Sequence, residues 1–227
     1  MELDKLVITE KDRIVLIAPH PDDECLGAAA VLLKVPHLTD IYVMTDGCHG
    51  SSERTVEEEM AVRRRQFEAE MEYVKPHAWY WIGVEDTKLM EHFEAADRID
   101  FTEYTKIFLP EIGSRHPDHT AAALMCCDAI RKQHATAECY SYEVLTAFHD
   151  PTHYIDISGQ EEKKRRLIRF HGDQEKQERI ALSLNAYRAA QLLDYDYEYV
   201  ECYEKLDVYA LPEAEDILVR LNTEKKF

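Results

Sequence analysis

The stretch at residues 14–34, IVLIAPHPDDECLGAAAVLLK, decides how the rest of the chain is read. It opens as a continuous apolar run with β-branched side chains, the pattern of a strand buried on both faces. From Glu24 onward Ala and Leu dominate, and the segment turns helical. Between the two lies His20-Pro21-Asp22-Asp23-Glu24. In an open α/β sheet, ligands sit beyond the carboxyl ends of the strands, and the first strand-to-helix turn is the favoured place. A dinucleotide there needs G-x-G-x-x-G so that backbone amides can cradle phosphate. Three carboxylates in that position repel phosphate, so the turn excludes a nucleotide-binding Rossmann site and points to a cation.

Working outward, DIYVMTDG reads as a second strand ending in a turn, and TVEEEMAVRRRQFEAEMEYV as a long amphipathic helix closed by Lys75-Pro76. HAWYWIGV is a third strand, KIFLP a fourth, and HTAAALMCCDAIRKQ returns to helix. This alternation over roughly the first 135 residues is the signature of a parallel sheet with crossover helices. The remainder changes style. CYSYEVL and HYIDIS look like strands, residues 160–193 are helical with a break at Gly172, and YEYVECYEKLDVYAL is strand-like. The expectation is an α/β fold, a Rossmann-like, mainly parallel sheet flanked by helices. A C-terminal strand and helix elaboration completes one domain over residues 1–227.

Composition narrows the chemistry. The chain of 227 residues with 45% hydrophobic content can bury a substantial core without staples. Its six cysteines show no C-x-x-C pair and no zinc-finger spacing, so they read as reduced, buried thiols. A metal here must use His and carboxylate. A net charge of −18 repels a phosphate backbone, which argues against nucleic acid and anionic membrane as partners. Much of that charge belongs to solvated helix faces. The charged N-terminus has no signal-peptide centre and the longest apolar run is too short to span a bilayer, so a cytoplasmic location is expected.

Imidazole and carboxylate suit zinc or a similar divalent ion, and a catalytic zinc site keeps three protein ligands and one open position. His20 and Asp23 need a further partner. The other dense candidate is SRHPDHTAAA, where His116, Asp118 and His119 lie between the fourth strand and its helix. That position shares the sheet edge with the first turn, so the two clusters can converge. One His-Asp pair at a helix N-terminus is ordinarily a cap, with the carboxylate accepting backbone amides. Two His-Pro-Asp clusters at two strand ends are poorly explained by capping twice.

The residues His20 to Glu24, taken with His116 to His119, resemble the zinc-dependent de-N-acetylases, the LmbE-like or PIG-L family. It includes the N-acetylglucosaminyl-phosphatidylinositol deacetylase and the mycothiol and bacillithiol pathway deacetylases. The likeness runs in order through MTDGCHG, AVRRRQFEAEMEYV, SYEVLTAFHDPTHYIDIS, KRRLIRFHGDQ and VECYEKL. It implies His20, Asp23 and His119 as ligands of Zn2+, or of another divalent ion such as Fe2+. It makes Asp22 the general base, and His116, as an imidazolium, the stabiliser of the oxyanion and proton donor, with Asp118 keeping its ring charged and oriented. Arg63, first of three consecutive arginines, matches the family's sugar-binding arginine, and Asp86 its hydroxyl-binding loop aspartate. His171 matches the C-terminal histidine, although Gly172-Asp173 replaces the usual x-Ser. Glu24 supports the first helix turn. Of the other histidines, His49 and its neighbour Cys48 should border the pocket.

The implied reaction removes acetyl from a small N-acetylglucosamine-type amino sugar to give a free amine and acetate. An amidase that releases a larger acyl group from a glucosaminide thiol conjugate is the alternative within the class. A sugar- or metal-binding relative without turnover is the rival outside it, though it would need neither Asp22 nor His116. The resemblance also implies a homo-oligomer, since relatives often form trimers or hexamers.

Overall fold

Apolar side chains alternate between the two faces of the central strands and fix the layers. The fold is taken from a computed structural model that describes residues 2–144, 146–172, 175–193, 195–214 and 217. Leu145, Asp173 and Gln174, which fall within segments discussed above, lie outside the described residues.

The strands are β1 (Asp4–Lys5), β2 (Ile14–Ala18), β3 (Thr39–Thr45), β4 (Ala78–Val84), β5 (Lys106–Pro110), β6 (Glu138–Tyr142), β7 (His153–Asp156) and β8 (Val200–Leu206). They form one sheet of eight in the order β1-β7-β8-β6-β5-β2-β3-β4. β8 runs antiparallel between β6 and β7, and every other pairing is parallel. The expected strands are all present. The two-residue β1, which extends the sheet beside β7, was not among them, because so short a segment carries no periodicity.

β2, β3 and β5 are buried along their whole length. Ile14, Leu16 and Ala18 join Ile41, Val43 and Phe108 in one hydrophobic cluster, while Val15 and Ile17 join Met44, Ile107 and Leu109 in another. The period of two therefore feeds two cores, one on each face. The first is covered by α1 (Asp23–Gly27), α2 (Ala29–Lys34), α3 (Val56–Val74), α5 (Glu161–Arg169) and α6 (Glu175–Gln191), and the second by α4 (Pro117–Gln133). Three 3-10 turns between residues 89 and 103 take the place of a crossover helix between β4 and β5.

α3 begins at a capping box. The Thr55 hydroxyl accepts from the Glu58 amide and the Glu58 carboxylate from the Thr55 amide, with Glu57, Glu58 and Glu59 in the first turn favouring the positive end of the dipole. It ends at Lys75 in the left-handed conformation, φ 56°. The break at Gly172 is present, at φ 88°, between α5 and α6.

One expectation is corrected. The helix following the first motif is interrupted at Ala28, φ −132°, and divides into α1 and α2. The cause lies far along the chain. Lys164 Nζ donates to the Leu26 carbonyl at 2.8 Å, and the Ala30 amide donates to Glu201 Oε2 at 2.9 Å. In a continuous helix those two backbone groups would bond each other. Here a buried ion pair, Lys164 Nζ to Glu201 Oε1 at 2.7 Å, stands between them. Asn185 Oδ1 also accepts from Lys164 and the Tyr203 hydroxyl donates to Glu201, so each charge is well supplied with partners. Glycine at position 27 completes the junction: a Cβ there would come within 2.3 Å of the Tyr142 ring and 2.7 Å of the Glu143 carbonyl oxygen.

Candidate metal centre

The strand order reverses between β2 and β5, since β2 leads outward to β3 and β4 before the chain returns to β2's other side. Such a switch point opens a crevice at the carboxyl ends of the strands. The turn after β2 supplies His20, Asp22 and Asp23 to it, and the loop from β5 into α4 supplies Glu111, His116, Asp118 and His119. Loops after β3 and β4 add His49 and Asp86. A cleft of about 640 Å³ is lined by all of these except Glu111 and Asp118, together with Arg54, Glu59, Arg63, Gln66 and Gln177. A larger cleft of about 720 Å³ lies between α5 and α6, but its wall is built on Arg165, Arg169 and Glu178 and, among the described residues, carries no imidazole. The candidate metal donors line the smaller one.

Asp23 Oδ2 is the centre of the arrangement. It lies 3.2 Å from His20 Nδ1 and 3.2 Å from His119 Nε2. A tetrahedral zinc with bonds of about 2.0–2.1 Å sets neighbouring donors about 3.3 Å apart. Each of these two contacts has the spacing of neighbouring donors on such an ion as well as that of an ion pair. One ring nitrogen from each of His20, His116 and His119 also lies within 4.8 Å of the others. Burial opposes charge on His20, but hydrogen bonds to Asp118, Asp23 and Asp86 outweigh it and lift its pKa well above the ordinary imidazole range. His119 behaves alike: burial lowers it, the Asp23 and Glu111 carboxylates raise it, and it stands at about 9. Asp23 is held far below the usual carboxylate range because the two imidazoles outweigh its burial. The site thus stabilises positive charge, and a divalent ion would use the same field while displacing protons.

Behind these donors, His119 Nδ1 faces Glu111 Oε1 at 3.6 Å, with both side chains buried. A carboxylate behind a ligating imidazole fixes its orientation and raises its basicity. Glu111, the first residue after β5, was missed in the sequence. Its position directly after a buried strand of the switch point is the signal that would have found it.

Asp22 is the residue under backbone tension. Its φ is 133°, outside the range that side-chain-bearing residues favour, and Thr87 at the rim has φ 71°. Arg63 Nη2 holds Asp22 Oδ2 at 2.8 Å and also donates to the Pro21 carbonyl. Of the three arginines, Arg63 is the one buried against the site. Arg64 is half-exposed and paired with Glu68. Asp86, expected at a sugar hydroxyl, is placed 3.1 Å from His20 Nε2 and accepts from the His49 amide. His49 lines the cleft, while Cys48 is buried and its thiol is pushed up to about 12 by burial and the nearby Asp46.

Two expectations differ from the geometry. Asp118 was expected to orient the His116 ring, yet its carboxylate accepts from the Thr87 and Leu89 amides and lies 3.3 Å from His20 Nε2. Its contact to His116 runs through its own backbone, whose N–H donates to His116 Nδ1 at 3.3 Å as His116 caps α4. Burial and the two neighbouring imidazoles lower the His116 pKa and outweigh the Asp118 carboxylate, so the ring is not held charged as expected. His171 was expected at the substrate, but its imidazole has no exposure. Nε2 sits 2.7 Å from Glu70 Oε2 and 3.5 Å from Glu24 Oε1, so the residue reaches the cleft wall only by its backbone.

Residues 15–130, just over half of the chain, match the family described as PIG-L: GlcNAc-PI de-N-acetylase. No curated protein matches the sequence. Among solved structures the chain is similar to the N,N'-diacetylchitobiose deacetylase from Pyrococcus horikoshii, with 20% identity, a TM-score of 0.76, and coverage of 87% of this chain and 85% of that one. It is similar to GalB, the 4-carboxy-2-hydroxymuconate hydratase from Pseudomonas putida KT2440, at 14% identity and TM-score 0.68, covering 88% and 97%. The zinc-inhibited form of teicoplanin deacetylase Orf2 follows at 14% and 0.62, covering 86% and 99%. At these identities the likenesses establish a shared fold.

Proposed function

Because the chain belongs to the PIG-L, GlcNAc-PI de-N-acetylase family, we propose that it is a metal-dependent hydrolase removing the N-acetyl group from an N-acetylglucosamine-type substrate. The products are acetate and a free amine. The observation that carries this reading is the convergence of both His-Pro-Asp turns on Asp23 Oδ2, with a carboxylate and an imidazole not needed as donors, Asp22 and His116, beside it. Two of the fold relatives named above are deacetylases. GalB shows that the same fold also serves a hydratase, so the reaction has to be argued from the site.

In this reading His20, Asp23 and His119 hold the ion, Zn2+ or a related divalent cation. When bound, the ion supplies Lewis acidity that polarises a carbonyl oxygen and makes a neighbouring water acidic. Asp22, held by Arg63, accepts the proton of the attacking water at a carboxylate oxygen. His116 has Nδ1 committed to the Asp118 amide, which leaves Nε2–H to donate to the oxyanion, and the proton that Asp22 has taken from the water is the one passed on to the departing nitrogen. Arg54, Gln66 and Gln177 offer polar groups to sugar hydroxyls. Among the described residues Leu26 is the one large apolar side chain on the wall, which favours a hydrophilic aglycone over a lipid tail. Among the described residues no helix is long and apolar enough to cross a membrane.

The test is acetate release from N-acetylglucosaminides with polar and long-alkyl aglycones, beside a chelated sample and His119→Ala. Activity should fall at least about 100-fold on chelation, return on adding zinc, and be absent in His119→Ala with reduced zinc content. Turnover untouched by chelation would overturn the metal-dependent reading, and addition of water to the substrate without acetate release would move it to the hydratase class.

A further inference from the structure

The cluster Glu24, Cys25, Glu70 and His171 lies completely buried beneath the cleft, with one donor atom of each within 4.8 Å of the others, and the chemistry above gives it no task. Its connection to the site is mechanical. Glu24 Oε2 accepts from the Asp22 backbone amide at 3.1 Å, and Glu24's other oxygen faces His171 Nε2, which Glu70 in turn holds at 2.7 Å. Resting on the deacetylase reading, we propose that His171 is a positioning residue: through Glu24 it holds the backbone of Asp22 in the conformation that presents its carboxylate to the cleft.

A φ of 133° at a residue with a side chain is strained and persists only where surrounding contacts over-determine it. Asp22 is clamped twice, its backbone by Glu24 and its carboxylate by Arg63. Both clamps lead back to α3, where Arg63 and Glu70 lie two turns apart on one face. His171 Nε2 sits against both buried carboxylates, 2.7 Å from Glu70 and 3.5 Å from Glu24, and is the donor they share. Removing the imidazole leaves two buried carboxylates beside each other without the donor they share. Glu24 then turns away, and the Asp22 amide loses its acceptor.

His171→Phe fills the volume without a donor, and His171→Gln places an amide nitrogen near the position of Nε2. With folding checked by thermal denaturation, His171→Phe is expected to lower kcat about 10–100-fold while KM and bound zinc stay as in the parent, and His171→Gln to recover most of the loss. Crystal structures of both variants supply a readout independent of turnover: Asp22 leaves positive φ in His171→Phe and keeps it in His171→Gln. A raised KM at unchanged kcat would make His171 a substrate contact, and zinc loss in proportion to activity would make it metal scaffolding. Either result overturns the proposal, as does an unchanged Asp22 backbone in His171→Phe. Should the parent protein release no acetate, the deacetylase reading fails on its own, and the Asp22 conformation in the two crystals still decides the role of His171.

Discussion

Asp22→Asn is expected to lower kcat for acetate release by about 1,000-fold or more, within the range of positioned general bases, with KM and zinc content changed less than a few-fold. Asparagine keeps the shape of the side chain, so its carbonyl oxygen can still accept from Arg63 Nη2, and its backbone N–H can still reach Glu24. What it loses is the capacity to take a proton. The proposed ligand set does not include this residue, which separates the effect from metal loss. Single-turnover acetate release, with zinc measured on the same sample, checks it. A variant that keeps a tenth of the parent rate would assign water activation elsewhere, and Asp86, 3.1 Å from His20, would be the next acid to replace.

The second large effect concerns stability. Lys164→Met is expected to destabilise the protein by about 3–5 kcal/mol, the usual consequence of stranding one member of a buried ion pair. Glu201 would remain buried without its cation, and the Leu26 carbonyl and Asn185 would each lose a donor. For a chain of this size that corresponds to a fall of roughly 6–20 °C in Tm. Ordinary buried pairs are often replaced without loss when both members become apolar. This pair should behave differently. Lys164→Met combined with Glu201→Leu still leaves the Leu26 carbonyl and the Ala30 amide without partners, and the Tyr142 ring against Gly27 hinders the helix from closing up. Chemical denaturation of both singles and the double checks this. Full recovery in the double would show that α1 and α2 can anneal into one helix.

The same residues explain what could be read in the sequence. β2, β3 and β5 announce themselves because strands buried on both faces consist almost wholly of apolar side chains, and a switch point between β2 and β5 follows from their order. His20, Asp23, His116 and His119 were legible because two chemically unusual turns flank those strands. The interruption at Ala28 was not. An Ala- and Leu-rich segment favours helix locally, and the groups that split it, Lys164 and Glu201, are distant in the sequence. Arg63 could have been separated from its two neighbours, since it shares a helical stripe with Phe67, Glu70 and Met71, all buried. Glu70 had no such mark: it is one acid in a helix full of them, and only the fold brings His171 against it. His171 itself was visible as a residue but not in its direction, because its contacts come from α1 and α3 rather than from its own segment.

The ion pair that divides α1 from α2 also sets an order of events during synthesis. Every proposed metal donor has been translated once His119 is made, yet Glu201 follows only after a further interval of roughly 4–16 s at ~5–20 residues per second. During that interval a nascent chain presents imidazoles and carboxylates whose helical support is still missing. On the proposed reading, metal captured then would be held by an unfinished cradle.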